Sequence, residues 1–264
     1  MLLEFTKMQG VGNDYIYIDA RNQTISQPQT LAQQLSNRHF GIGSDGLVLL
    51  LPAVAGADVT MAMYNADGSE GLMCGNAVRC VAQWMYENQE ISGNVVRIAT
   101  KSGIKVVQRL RDNFYSVNMG TVKVDTVNLQ GIQGLTTVDV GNPHVVWFPQ
   151  FEIQNYEIKR LGQKLEHSQV FPNGTNVEFV QVIGKNLLQM RVWERGTGET
   201  LGCGTGACAA AVASVVRGFC NREELIRVQL PGGELVVDYS AEYVRLIGPA
   251  VTVFRGVIEV HNEN

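Results

Sequence analysis

Two hydrophobic rhythms alternate along the chain. Short β-branched or aromatic runs at 15–18, 47–51, 59–64, 95–99 and 103–109 are bounded by Gly, Asn or Pro and predict strands. A second set at 138–140, 145–148, 177–182, 188–193 and 235–239 does the same. From Asn76 to Glu90 the apolar residues fall at 77, 78, 80, 81, 84 and 85, the spacing of one helix face. Thr205 to Arg217 is apolar nearly all round, which predicts a buried helix. Outer helices are predicted at Gln29–Arg38 and Glu157–His167, and the tail 250–264 reads as a strand.

The rhythm repeats because the chain contains itself twice. Gly12-Asn13 recurs as Gly141-Asn142 and Cys74-Gly75 as Cys203-Gly204, both at one offset (12 to 141, 74 to 203). Between these anchors Met61–Asn65 lies against Met190–Glu194, and Glu70 and Leu72 lie against Glu199 and Leu201. So long a period is not a solenoid unit, which spans a few tens of residues. It predicts two copies of one domain: 1–119, carrying Cys74 and completed by the tail strand of about 250–264, and 120–249, carrying Cys203. Each copy is expected to wrap a strongly curved sheet around its central helix, with the active site in the cleft between the copies.

Composition narrows the function. The 264 residues are 45% hydrophobic and 17% charged, an ordinary globular mixture. The net charge of -4, without a basic face, argues against nucleic-acid binding. No apolar stretch is long enough to cross a membrane and the first residues do not read as a signal peptide, so a cytoplasmic protein is expected. Five cysteines with no Cys-x-x-Cys, and four histidines with no His-Glu-x-x-His, signal neither a disulfide framework nor a metal site.

The repeated Cys-Gly sits where a helix begins. The first turn of a helix presents unpaired N–H groups and the positive end of its dipole, a ready site for a carboxylate. Asn76 and Thr205 read as N-caps. A thiol there is expected to have its pKa lowered from about 8.5 into the range of roughly 3.5–7.5. Two such thiols suit removal of an α-proton on one face of an amino acid and return of a proton on the other. A lone cysteine at a helix start is more often a small buried hydrophobe; duplication beside glycine reverses that reading here, while Cys80, Cys208 and Cys220 keep it. Glu194-Arg195 is either a surface ion pair or a substrate contact, and the run 196–206 lacks the Gly-Lys-Ser/Thr ending of a P-loop.

At these residues the sequence resembles the diaminopimelate epimerases along nearly its whole length. The matching segments include 5–14 (FTKMQGVGND), 41–47 (GIGSDGL), 64–70 (YNADGSE), 73–76 (MCGN), 141–144 (GNPH), 176–179 (NVEF), 193–200 (WERGTGET), 203–209 (CGTGACA) and 230–233 (LPGG). The resemblance implies an α/β (α+β) fold of two duplicated β-barrel-like halves, each a curved, mostly antiparallel sheet around a central helix. It implies epimerisation of LL-2,6-diaminopimelate to the meso isomer, for lysine and peptidoglycan synthesis, without any cofactor or metal. Cys74 and Cys203 would be the catalytic acid/bases, with Glu194 and His144 near the substrate amine tuning the thiols. Gly75, Asn76, Gly204 and Thr205 would bind the reacting carboxylate and amine; Asn13, Asn65, Asn142, Asn176 and Arg195 would hold the distal end. The partners implied are a small-molecule amino acid and a second copy in a homodimer, with no nucleic acid and no membrane.

The chain departs from the family pattern at Ala77, Gly46, Gly202 and Ile247, none of which removes a catalytic group. Two alternatives stand beside this reading: a racemase of another amino acid working without pyridoxal phosphate, and a non-catalytic amino-acid-binding or thiol redox protein. The first would leave the distal polar residues unpaired. The second would bind a ligand without exchanging its α-proton.

Overall fold

The structure, a computed structural model, describes residues 2–111, 113–129 and 132–260. The chain divides into two compact units, 1–117 with 249–264, and 118–248.

In the first unit the strands are β1 (Leu2–Gly10), β2 (Asn13–Asp19), β3 (Gly46–Leu51), β4 (Val59–Asn65), β5 (Glu70–Gly71), β6 (Val95–Thr100), β7 (Gly103–Arg111) and the start of β8 (Phe114–Thr121), completed by β18 (Val251–Glu259). They pair in the order β18-β1-β2-β3-β4-β6-β7-β8, antiparallel except at β2–β3 and β4–β6. The tail beyond 260, including His261, lies outside the described residues.

The second unit repeats this plan. Its strands are β9 (Lys123–Leu129), β10 (Ile132–Asp139), β11 (Pro143–Trp147), β12 (Asn176–Gly184), β13 (Leu187–Glu194), β14 (Gly198–Thr200), β15 (Ile226–Leu230), β16 (Gly233–Asp238) and β17 (Tyr243–Pro249). The order β9-β10-β11-β12-β13-β15-β16-β17 is again antiparallel except at β11–β12 and β13–β15. The units differ in connectivity at one place: β9 leads directly into β10, whereas its counterpart β18 reaches β1 from the far end of the sequence.

Each sheet curves around one helix. In the first unit α2 (Gly75–Glu87) touches β1, β2, β6, β7 and β18; in the second α4 (Gly204–Val216) touches β10, β11, β12, β13, β15 and β16. Contact with strands along most of a sheet requires the sheet to bend around the helix. The alanine- and glycine-rich sequence of α4 lets the strands approach on every side, and Gly206 through Ser214 are buried. In α2 the buried set includes Arg79, whose guanidinium donates to three acceptors described below. Helix α1 (Pro28–Ser36) packs on β3 and β4, burying Leu31, Ala32 and Leu35 against Ile16, Leu47 and Leu49. Helix α3 (Lys159–Glu166) packs on β12, β13 and β14, where Leu165 meets Phe179 and Trp193. A Cβ on Gly162 would stand 2.4 Å from Trp193 Cγ, so only glycine admits so close a helix. Each Leu or Phe buried this way contributes about 1.5–3 kcal/mol.

Candidate active site

The two repeated cysteines are the N-cap residues of α2 and α4, and this corrects the expectation that Asn76 and Thr205 cap them. Both have extended backbone, φ -133° and ψ 125° for Cys74 and φ -125° and ψ 116° for Cys203, the conformation of a cap. The first intrahelical bonds run from Val78 N–H to Cys74 O, 3.0 Å, and from Ala207 N–H to Cys203 O, 2.9 Å. The N–H groups of 75–77 and 204–206 therefore lie before the helical ladder, available to a carboxylate or to the cap.

In the first unit, Cys74 Sγ–H donates to Asn13 Oδ1 at 3.4 Å, and Asn76 Nδ2 donates to the same oxygen at 3.2 Å. Asn76 Oδ1 in turn accepts from Arg79 Nη2 at 2.7 Å, while the same guanidinium donates to the carbonyls of Gly75 and Pro249. Asn13 Nδ2 donates to Asp45 Oδ2 at 2.8 Å. The turn that delivers Asn13 is strained: Val11 and Gly12 both have positive φ, 56° and 79°, as a two-residue hairpin turn needs but a β-branched residue resists. Behind Asp45 stand Asp14, Lys7 and Arg38, with Lys7 Nζ 2.7 Å and Arg38 Nη2 2.7 Å from Asp14. Burial opposes charge on Asp14, but Arg38 and Lys7 prevail and hold it below the usual carboxylate range; burial and Asp14 push Asp45 up.

Asn65 ends β4, and its side-chain amide donates to Ser69 Oγ at 2.9 Å, so its described side-chain bond is to its own turn and not to the Cys74 cluster.

In the second unit Cys203 Sγ accepts from Gly206 N–H at 3.4 Å and lies 3.4 Å from Thr205 Oγ1. Asn142 Nδ2 donates to Thr205 Oγ1 at 3.4 Å, and Asn142 Oδ1 is 3.0 Å from His144 Nε2. His144 Nδ1 lies 2.7 Å from Glu178 Oε1. Asn176 donates to Pro143 O at 2.9 Å and accepts from Arg195 N–H at 2.9 Å, placing those two side by side; the Arg195 guanidinium reaches Asn173 O. Glu194 accepts from Thr200 Oγ1 and stands close enough to Cys203 for its charge to act on the thiol. His144 also borders a recess of about 250 Å³ with Lys123, Asp139, Pro143 and Phe171.

The expected depression of the thiol pKa fails at Cys203. Burial, then the charges of Glu194 and Glu178, push it well above its ordinary range, and the bonds from Thr205 and Gly206 do not offset them. A helix end is a partial charge, whereas desolvation penalises the whole thiolate. Cys80 is buried against Tyr17 and pushed up to about 12 by burial, and burial also raises Cys220, in keeping with inert thiols. Two residues given no role from sequence now stand out, Glu178 and Asp45, although each lies in a segment that carries the family resemblance, 176–179 and 41–47.

Comparison with known proteins follows the same lines. The family model described as diaminopimelate epimerase matches residues 5–124 and 136–253. A diaminopimelate epimerase of Desulfovibrio desulfuricans is 44% identical over 96% of this chain and 97% of its own, and one of Acetivibrio thermocellus 41% identical over 98% and 99%. Among solved structures, a phenazine biosynthesis protein of the PhzF family from Bacillus anthracis aligns with a TM-score of 0.77 at 15% identity, covering 98% of this chain and all of that one. A probable proline racemase from Agrobacterium radiobacter aligns at 0.73 and 16%, covering 99% and 93%. At such identities these two share the fold.

Proposed function

The chain belongs to the diaminopimelate epimerase family, and on that premise we propose that its isomerase chemistry, epimerisation of diaminopimelate between the LL and meso forms, runs on Cys74 and Cys203 as a two-thiol acid/base pair. One sulfur, as thiolate, takes the α-proton; the other, as thiol, gives its proton to the opposite face and becomes the thiolate. The carbanion charge flows into the α-carboxylate, where the N–H groups of Gly75-Asn76 and Gly204-Thr205 receive it. Such fixed donors are typically worth about 3–4 kcal/mol each in the transition state. Asn13, Asn65, Asn142, Asn176 and Arg195 hold the distal amino-acid end, and His144 and Glu194 meet the amine beside the thiols. The reading requires the two thiols to flank one α-carbon.

The observation that carries this is the repeated N-cap cysteine on two buried helices. Proton NMR of LL-diaminopimelate with the reduced protein in heavy water tests it. Loss of the α-proton signal as the meso isomer appears is expected; a bound substrate whose α-proton never exchanges would overturn it.

We also propose a cytoplasmic homodimer. Among the described residues no helix is long and apolar enough to cross a membrane. The exposed Leu2, Val253, Phe254 and Val257 along β1 and β18 would supply the apolar part of a contact between copies. Sedimentation at micromolar concentration distinguishes the dimer from the monomer.

A further inference from the structure

Glu178 has no exposed surface, in a strand whose neighbours Val177, Phe179 and Val180 are also buried. A buried carboxylate is costly unless its oxygens are satisfied. Here Oε1 has the His144 ring at 2.7 Å, and Oε2 has no hydrogen-bond partner among the described residues. Toward a carboxylate oxygen Nδ1 of His144 is the donor, and Nε2 faces Asn142 Oδ1 at 3.0 Å. From there the contacts run through Thr205 Oγ1 to Cys203 Sγ. A shorter route also exists. A Cβ on Gly206 would meet Glu178 Oε1 at 2.7 Å and Cys203 Sγ at 3.4 Å, so the carboxylate lies directly behind the turn that carries the thiol. Glycine at 206 is what leaves room for it.

We propose that Glu178 is a positioning residue for Cys203: it locks the His144 ring toward Asn142, and its negative charge behind Gly206 keeps Cys203 in the S–H form in the substrate-free protein. The catalytic meaning, that Cys203 begins as the proton donor, rests on the two-thiol reading. The charged and titratable groups facing this thiol are Glu178 from β12, Glu194 from β13 and, through Asn142 and Thr205, His144 from β11. Burial and those two carboxylates raise the proton affinity of the sulfur, in the sense the proposal requires.

The test needs no turnover. In the Cys74→Ala chain, the rate of iodoacetamide labelling of Cys203 is followed against pH by mass spectrometry. Glu178→Gln keeps the shape and an acceptor for Nδ1 but removes the charge. The labelling midpoint is expected to fall by about one pH unit, the scale of one like charge removed from close range. Glu178→Asp restores the charge and is expected to return the midpoint toward that of the parent. An unchanged midpoint in folded Glu178→Gln overturns the proposal. So does a midpoint in Glu178→Asp about one unit below that of the Cys74→Ala parent, a result that can be read even where the Gln variant does not fold. A failed epimerase assay would sink the two-thiol reading and leave this labelling result standing.

Discussion

The neighbourhoods of Cys74 and Cys203 share a backbone and differ in electrostatics. Both cysteines are extended residues that cap a helix, and a hairpin asparagine meets Cys74 directly but reaches Cys203 only through Thr205 Oγ1. Around Cys74 the hydrogen bonds are pinned at each end. Arg79 only donates and Asp45 only accepts, so Asn76 and Asn13 have one possible orientation and Asn13 Oδ1 is an acceptor toward the thiol. Around Cys203 the chain of contacts ends on His144, a ring whose two nitrogens face the oxygens of Asn142 and Glu178 and whose protonation can change, unlike that of Arg79. The position of Arg79 is taken by Cys208 in the other copy, and that of Asn65 by Glu194. Duplication therefore kept the helix end and changed the charges beside it. A reaction that takes a proton at one sulfur while giving one at the other calls for that inequality.

The comparison breaks most sharply if either thiol is dispensable. Cys74→Ala and Cys203→Ala are each expected to lower kcat by at least about a thousand-fold, the upper part of the range for acid/base groups. A folded variant with full α-proton exchange would remove one partner from the pair. Next in size is stability. Arg79→Leu takes away the guanidinium donors of Asn76 Oδ1 and of the carbonyls of Gly75 and Pro249 and is expected to cost about 3 kcal/mol by denaturant unfolding. Its counterpart Cys208→Ala removes one small buried group and should cost about 1 kcal/mol. Equal losses would mean that the polar cluster of the first unit does not rigidify it. Asp45→Asn frees the orientation of Asn13 and is expected to reduce kcat/KM about ten-fold through misplacement near Cys74. It should leave the labelling midpoint of Cys203 unmoved.

The smallest effects separate the two units by pH. Asp14 is held below its ordinary 3.8, so its contribution is present above that pH and is lost as pH falls through the lower folded value. Asp14→Asn should flatten the loss of stability below about pH 4. Cys203 is raised above 9.0, so the unfolded chain ionises first and stability is lost as pH rises past that value. Cys203→Ser should flatten the alkaline decline. Thermal melts across pH, with the two effects on opposite limbs, check both.

Much of this was legible in the residues. The apolar periodicity located α2 and α4 to within three residues at either end, because a buried helix shows its face or, in α4, its lack of one. The duplication was visible because glycine and cysteine at helix starts tolerate few replacements. The short strands β5 and β14 escaped, and so did the longer β1, β8, β9, β15 and β17. They carry polar residues among the apolar ones, and β1 buries Lys7, which local pattern reads as solvent-facing until Asp14 is brought beside it. The proton affinity of Cys203 was misread for the same reason. Glu178 and Glu194 arrive from β12 and β13, distant in sequence, and their charges with burial outweigh the helix end that sequence reveals.

The late arrival of β18 has a consequence for biosynthesis. The second unit is one unbroken segment and can close its sheet as soon as its own residues emerge from the ribosome. The first unit is made earlier, yet β1 waits for β18, its partner from Leu2↔Glu259 to Gln9↔Val251, and that pairing spans almost the whole described chain. Loop closure over such a distance is slow. The half translated first is thus completed after the other, and its β1 edge stays open to chaperones or to other nascent chains until β18 has been made.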